Sequence, residues 1–383
     1  MNDRFVFMAD AHIKSRTWTN SMQLTGDAYT ALNMLVDKLR EYSIDAATKK
    51  RQPVTTLVIG GDWFDSNRPS STDILRTNYF LDQFKWVYYI AGNHDNVTPS
   101  YLSVFDCNRT VAIRQLTETP IKLGDQDGAW IAGVSWMSSA EKLQETIQRI
   151  CDMWRTEHTA SDVLYLVLHT SFQHLLSFDG AYKLTQEFIN EVTRGMKIRV
   201  LVGDIHVRNT GRFTEDENPN DRYIHSPGSL YPLSIDQISQ PHAVSLIDAL
   251  SGEITDVPVK VRSYSILKYS TDEALRALYD RIVSATVNDP LQPFIRVVVP
   301  ADADVHINTS QFPGAVMQVV RESSDDPDAR VVSTSGCTLV QAAVAEAGDN
   351  ELLGQLVEAL LSADDPLQEL NDWLEFWNVK QTV

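Results

Sequence analysis

The sequence predicts an α/β protein, on three observations. Apolar runs alternate with amphipathic segments through the first half of the chain. Each of five apolar runs hands over directly to polar residues at its carboxyl end, which is where open α/β sheets place their ligand sites. The runs are also near-continuous in apolar character, the pattern of a sheet covered on both faces.

Phe5 to Met8 reads as a strand ending at Asp10. Asp27 to Arg40 reads as a helix, because Leu32, Leu35, Val36 and Leu39 fall at helical spacing. Val54 to Ile59 is a strand leading to Asp62, and Trp86 to Ile90 one leading to Asn93. Val163 to Leu168 delivers His169, and Ile198 to Val202 delivers Asp204. Ala243 to Ile247 and Glu253 to Val259 look like closing strands of a first domain over residues 1–260. A smaller α/β unit is expected over 261–322, with strands at Ser265 to Tyr269 and Phe294 to Val299 around a helix at Asp272 to Ser284. Ser323 to Asp328 has linker composition. Beyond it, over 323–383, Leu352, Leu353, Leu356, Val357, Leu360 and Leu361 form a helical stripe. Pro366 then opens a second helix carrying Leu367, Leu370, Trp373, Leu374 and Trp377.

The chain has 383 residues and a net charge of −18, which is unusual for a protein that meets nucleic acid. The distribution matters more than the sum. From Arg321 onward there are three basic and 13 acidic residues, a net charge of −10, so more than half of the excess lies in the last sixth of the chain. Such a tail repels a phosphate backbone and suits solubility or a basic protein partner. Cys107, Cys151 and Cys337 are widely spaced, fit no disulfide framework or zinc pattern, and read as reduced. No apolar run is long enough to span a bilayer, and Met1 to Arg4 opens no signal-peptide pattern. The expectation is a cytoplasmic protein without a membrane partner.

Five polar segments carry the chemistry: Asp10-Ala11-His12, Gly61-Asp62-Trp63-Phe64-Asp65, Gly92-Asn93-His94-Asp95, His169, and Gly203-Asp204-Ile205-His206. Two divalent cations held close together can clamp the attacking and leaving oxygens of a phosphodiester. Such a pair needs a bridging carboxylate and a shell of Asp, His and Asn. Asp62, preceded by Gly60 and Gly61, is the natural bridge, and Asp10 with His12 can turn toward one metal. Asn93 offers an amide oxygen to the other metal, while His169, Asp204 and His206 complete the shells. His94 is the candidate to protonate the leaving oxygen or to stabilise the pentacoordinate phosphorus. Asp65 and Asp95 are expected to orient ligands or hold turns. His174 reads as a packing residue and His225 as either structural or substrate-facing, while His158, His242 and His306 match no motif.

The order D-x-H, GD-x-x-D, GNHD, H and G-x-x-H resembles the calcineurin-like metallophosphoesterase superfamily. Gly60-Gly61-Asp62-Trp63-Phe64-Asp65 followed by Arg68-Pro69-Ser70, together with Ser226-Pro227-Gly228-Ser229, is similar to the SbcD branch. That branch supplies the nuclease subunits of complexes that process DNA double-strand breaks. The resemblance implies a metallophosphoesterase β-sandwich flanked by helices, a smaller α/β capping domain and a C-terminal helical segment. It assigns Asp10, His12, Asp62 and His206 to one metal, and Asp62, Asn93, His169 and Asp204 to the other, with His94 catalytic.

The same resemblance implies Mn²⁺ as metal, DNA ends and hairpins as substrate, a homodimer, and an SbcC-type coiled-coil ATPase as partner, in a bacterial cell or phage-infected host. Leu356, Leu360, Trp373 and Trp377 are the residues expected to dock on that ATPase. One position departs from the pattern. The last motif of the branch usually reads G-H-x-H, and here Asp204 stands in place of the first histidine. A carboxylate is a harder ligand, which biases the site toward Mn²⁺ or Mg²⁺ and away from softer metals. The superfamily fold hosts several activities. A small-molecule or protein phosphoesterase, and a scaffold subunit impaired by Asp204, therefore stand beside the nuclease.

Overall fold

The computed structural model describes residues 4–18, 24–42, 53–96, 101–102, 111–175, 183–213, 220–300 and 307–321. Cys107, His306, Cys337, the linker and the docking residues Leu356, Leu360, Trp373 and Trp377 lie outside them. The chain divides into two compact units, Met1–Glu322 and Ser323–Val383, and every described residue belongs to the first.

The elements run β1 (Arg4–Met8), α1 (Asp27–Tyr42), β2 (Thr56–Ile59), α2 (Ser71–Leu81), β3 (Trp86–Tyr89), β4 (Ala112–Gln115), β5 (Ile121–Lys122), β6 (Ala129–Val134) and α3 (Ala140–Glu157). They continue with β7 (Val163–His169), α4 (Gln186–Thr193), β8 (Ile198–Gly203), β9 (Asn209–Arg212), β10 (Arg222–Ser226), β11 (Ala243–Asp248) and β12 (Ile254–Pro258). Last come β13 (Tyr264–Lys268), α5 (Asp272–Ala285), β14 (Phe294–Val299) and β15 (Val316–Arg321).

Two six-stranded mixed sheets, ordered β12-β11-β1-β2-β3-β4 and β5-β6-β7-β8-β10-β9, pack face to face. Their period-two side-chain pattern explains the continuous apolar runs. Phe5 and Phe7 of β1 enter the core between the sheets, where they meet Tyr165 and Val167 of β7. Val6 and Met8 point the other way, into a core shared with Leu32, Leu35 and Val36 of α1. In β7, Leu164, Leu166 and Leu168 face a third core, built with Ile147, Ile150 and Trp154 of α3. The result is a β-sandwich with helices on both outer faces, the α/β architecture the sequence predicts.

Within each sheet the site-bearing strands are parallel: β1-β2-β3 in one, β7-β8 in the other. Their carboxyl ends lie on the same edge of the sandwich, since His169 at the end of β7 comes within 3.4 Å of Asp62 just past β2. Predicted boundaries move by one or two residues, as expected where ends fray. The main consequence is at His169, which is the last residue of β7, paired with Gly203, and therefore buried.

The third sheet, β13-β14-β15, is entirely parallel. Leu275, Tyr279 and Ile282 of α5 pack against Ile295, Val297 and Val299 of β14. Thr271 caps α5 by accepting from Ala274 N. Asp27, at the start of α1, is held by Arg262 in a buried ion pair at 2.9 Å. Trp18 stacks on Tyr264 nearby, with ring centroids 5.6 Å apart.

Candidate metal centre

Five strand ends bring all seven predicted ligands to one edge of the sandwich. Asp62 Oδ2 is central, 3.5 Å from His12 Nε2 and 3.4 Å from His169 Nε2. Around it, Asp10, His12 and His206 form one group of donors, and Asp10, Asp62 and His169 another. Asn93 Oδ1 lies 3.1 Å from His169 Nε2, and Asp204 Oδ1 lies 3.8 Å from the same nitrogen. His206 Nε2 is 3.8 Å from Asp10 Oδ1.

The backbone is bent out of its ordinary range to achieve this. Among the described residues, the non-glycine residues with positive φ are Asp10 (50°), His12 (39°), Asp62 (48°) and Asp204 (79°). Each is a predicted ligand. Such conformations cost free energy and persist only where the surroundings impose them, commonly at functional sites. The glycines make room for these turns. A Cβ on Gly92 would stand 2.0 Å from Asp62 Oδ1, and one on Gly203 would stand 2.1 Å from the Gly60 carbonyl.

Hydrogen bonding fixes the tautomers of two histidines. His169 Nδ1 donates to the Gly60 carbonyl at 2.8 Å, because a carbonyl can only accept. Its Nε2 faces the oxygens of Asn93, Asp62 and Asp204, and carries a proton toward them unless a cation takes that proton's place. His12 Nδ1 donates to Asp65 Oδ1 at 3.1 Å, and its buried Nε2 has no hydrogen-bond partner. A lone pair aimed at carboxylates is repulsive unless a cation lies between them. Burial opposes protonation of His169, but the charges and hydrogen bonding of Asp62, with Asp10 and Asp204 behind, raise its pKa to about 10. Burial likewise raises Asp62, yet the charge of His169, its hydrogen bond and the charge of His12 overcome this and hold the carboxyl below its usual range. Asp10 is raised by burial and by its carboxylate neighbours, with His169 opposing. The pocket demands positive charge, and oxygen and imidazole donors with an orphaned His12 Nε2 fit divalent cations.

Further residues support these ligands. Asp95 Oδ2 accepts from Trp63 N at 2.7 Å and Asp95 Oδ1 from Gly92 N at 2.8 Å, so one carboxylate ties two site loops together. The Pro227-Gly228-Ser229 turn lies against both flanking motifs: Ser229 N donates to the His206 carbonyl at 3.2 Å, and Leu230 N to the Asp10 carbonyl at 3.4 Å. Gln237 was not expected from the sequence. Its Nε2 donates to His206 Nδ1 at 3.3 Å while its Oε1 accepts from Leu233 N at 3.0 Å, which fixes the amide orientation. Burial, then the neighbouring histidines, push the His206 pKa down to about 3. Coordination through His206 Nε2 would place the ring proton on Nδ1, so it requires the Gln237 amide to turn away.

His94 sits at the exposed mouth. Its amide donates to Asp62 Oδ1 at 2.9 Å and its Nδ1 to the Asp65 carbonyl at 3.0 Å, leaving Nε2 for another partner. His225 is buried away from the mouth between Thr210 and Ser245, which makes it structural. His158 stacks on Trp154, and His242 bonds main-chain carbonyls of Ser229 and Gln237.

The sequence model of the calcineurin-like phosphoesterase family matches residues 3–208, which contain all five motifs whole. The chain belongs to this family. No curated protein matches it. As a calcineurin-like phosphoesterase it is a metal-dependent phosphoester hydrolase, and the clustered Asp and His groups are its candidate metal ligands. Among the described residues, no helix is long and apolar enough to cross a membrane.

Proposed function

We propose that this calcineurin-like phosphoesterase is a DNA phosphodiesterase, acting as the nuclease subunit of an SbcCD-like complex on DNA ends and hairpins in recombination and repair. The observation that carries a diester-cleaving reading is His94. Its Nδ1–H is spent on the Asp65 carbonyl, and the ring stands exposed beside the central carboxylate of Asp62. A diester expels a poorly stabilised sugar oxygen, and a proton held at His94 Nε2 can meet that oxygen as it leaves.

Asp10, His12, Asp62 and His206 would hold one cation, and Asp62, Asn93, His169 and Asp204 the other. When bound, the pair would lower the pKa of a water and neutralise charge building on the phosphoryl oxygens. Asp65 keeps the His12 ring in the tautomer that presents Nε2, and the Gly60 carbonyl does the same for His169. Mn²⁺ suits this oxygen-rich set, with Mg²⁺ as the alternative. The DNA-specific part of the reading rests on the Arg68-Pro69-Ser70 and Pro227-Gly228-Ser229 segments and on the units beyond residue 260. The partner is an SbcC-type ATPase, docked through Leu356, Leu360, Trp373 and Trp377, with the nuclease as a homodimer in the cytoplasm.

One assay tests the reading. Purified protein with Mn²⁺ or Mg²⁺ is given a labelled hairpin DNA or a chromogenic phosphodiester, with His94→Gln as control. DNA cleavage that the control loses supports the proposal. Hydrolysis of the small ester without DNA cleavage would point to a small-molecule esterase. No turnover, even with the ATPase, would point to a scaffold impaired by Asp204.

A further inference from the structure

Lys183 flanks the metal centre and has no carboxylate partner among the described residues. Lys183 lies just before α4, and its neighbour Leu184 bridges to Phe172, shortly after His169. The Lys183 Nζ donates to the Met137 carbonyl at 2.7 Å and stands 4.6 Å above the ring centroid of Trp136. Trp136 is fastened to the rim of the site, its amide donating to the Ala91 carbonyl at 2.9 Å, two residues before Asn93. The register places this ledge level with the ligands. Val134 pairs with Leu168, so Ser135 continues alongside His169, which itself pairs with Gly203.

Two other cations beside the motif segments, Lys14 and Arg208, are already paired, Lys14 with Asp65 at 2.9 Å and Arg208 with Asp256. Lys183 is half-buried and has no carboxylate partner among the described residues. Burial lowers its pKa, while Asp204 acts in the opposite direction, which puts the amine within the field of the centre's most exposed carboxylate. A half-buried ammonium resting on a neutral ring and one carbonyl keeps a donor unspent. In a chain of net charge −18 such a cation beside the cleft is suited to an anion that arrives from outside.

We propose that Lys183, braced on Trp136, is a substrate residue that binds a backbone phosphate next to the scissile one, on the Asn93–His169–Asp204 side of the centre. This rests on the reading of the enzyme as a DNA phosphodiesterase, since a polynucleotide brings a backbone phosphate next to the scissile one. A purely structural tether for the chain before α4 would need the stem of Lys183 and its bond to Met137, but not its charge toward solute.

The test is the salt dependence of DNA binding. Affinity of the full chain for a fluorescein-labelled single-stranded oligonucleotide is measured by anisotropy from low to moderate salt, for wild type, Lys183→Met and Lys183→Arg. Removing one phosphate contact should flatten the log–log salt slope by about 0.7 for a single strand. It should also weaken binding at low salt by roughly tenfold. Lys183→Arg should keep the wild-type slope, and melting temperatures report whether each variant is folded. A wild-type slope in folded Lys183→Met overturns this assignment while leaving the nuclease reading intact. So does loss of slope in Lys183→Arg, because charge would then not be the determinant. If wild type neither binds nor cleaves DNA, both readings fall together.

Discussion

The hydroxyl of Tyr231 donates a 2.8 Å hydrogen bond to the main-chain carbonyl of His12. His12 sits at φ 39°, and its Nε2 faces Asp62 Oδ2. The bond therefore holds a backbone conformation that would otherwise relax and carry the imidazole away. Tyr231→Phe keeps the ring and leaves the carbonyl buried and unpaired, at a cost of about 1–3 kcal/mol. The expected outcome is a folded protein with a lower melting temperature and about tenfold weaker Mn²⁺ binding by calorimetry, the effect typical of lost ligand-orienting contacts. Unchanged Mn²⁺ affinity would remove Tyr231 from the support of the site.

Gly92 and Gly195 make a controlled pair. A Cβ at Gly92 would fall 2.0 Å from Asp62 Oδ1 and 2.4 Å from Asp62 N, so alanine there must displace the central carboxylate. Gly195 has φ +75° but nothing within 4 Å, so alanine there meets only backbone strain. Gly195→Ala should lose about 1 kcal/mol in urea unfolding and bind metal normally. Gly92→Ala should lose divalent-cation binding in the same titration.

Much of the site was legible because ligands in parallel α/β sheets sit at strand ends, and strand ends are visible where an apolar run stops at Asp10, Asp62, Asn93, His169 or Asp204. The helix of α1 was legible from its periodicity. The same periodicity runs through α3, at Leu143, Ile147, Ile150 and Trp154. In contrast β4 and β9, AIRQ and NTGR, carry no alternation to detect, since only their sheet neighbours make them strands. Tyr231, Gln237, Trp136 and Lys183 belong to no motif. They reach the centre through tertiary packing, and single-sequence patterns do not encode that distance. The positive φ of Asp10, His12, Asp62 and Asp204 was equally hidden, because no glycine marks those positions.

Asp204 sets the hardness of the second ligand group. At φ 79° it occupies a conformation in which Asp and His are both comparatively tolerated, so histidine can replace it without rebuilding the turn. Asp204→His removes a negative charge next to His169 and adds a borderline nitrogen donor. The ratio of Zn²⁺ to Mg²⁺ affinity should rise, by about tenfold or more if a carboxylate ligand is truly exchanged for imidazole. Competition titrations read that ratio directly, and an unchanged ratio would mean that Asp204 does not ligate.

His225 gives a pH dependence separate from the metal centre. Burial, with Arg208 adding to it, pushes its pKa down to about 3. The folded state therefore keeps it neutral where the unfolded chain, near pKa 6.5, takes up a proton. The unfolded state binds more protons in that window, so stability is fully present above about pH 6.5 and falls as the pH drops toward 3. The slope from this one group approaches 1.4 kcal/mol per pH unit. Urea unfolding of His225→Gln in EDTA between pH 7 and pH 5 should lose less stability than wild type by about that slope. Other acid-sensitive groups are shared by both proteins and cancel in the difference.

The buried pair of Arg262 and Asp27 ties the entry of the third sheet to the start of α1. Asp27 accepts from Arg262 Nε and Nη2, each at 2.9 Å, and from the hydroxyls of Tyr264 and Thr17. Arg262 also donates to the carbonyls of Thr25 and Gln292, so its loss leaves four acceptors short of a donor, two of them the oxygens of buried Asp27. Arg262→Met alone strands a carboxylate and should cost about 3–5 kcal/mol. Asp27→Leu with Arg262→Met removes both charges, and an apolar pair of similar volume can be nearly as stable as the ion pair it replaces. The double variant should therefore be more stable in urea than Arg262→Met. If the two substitutions instead add, the carboxylate is being satisfied by Thr17 and Tyr264, and the guanidinium serves the two carbonyls alone.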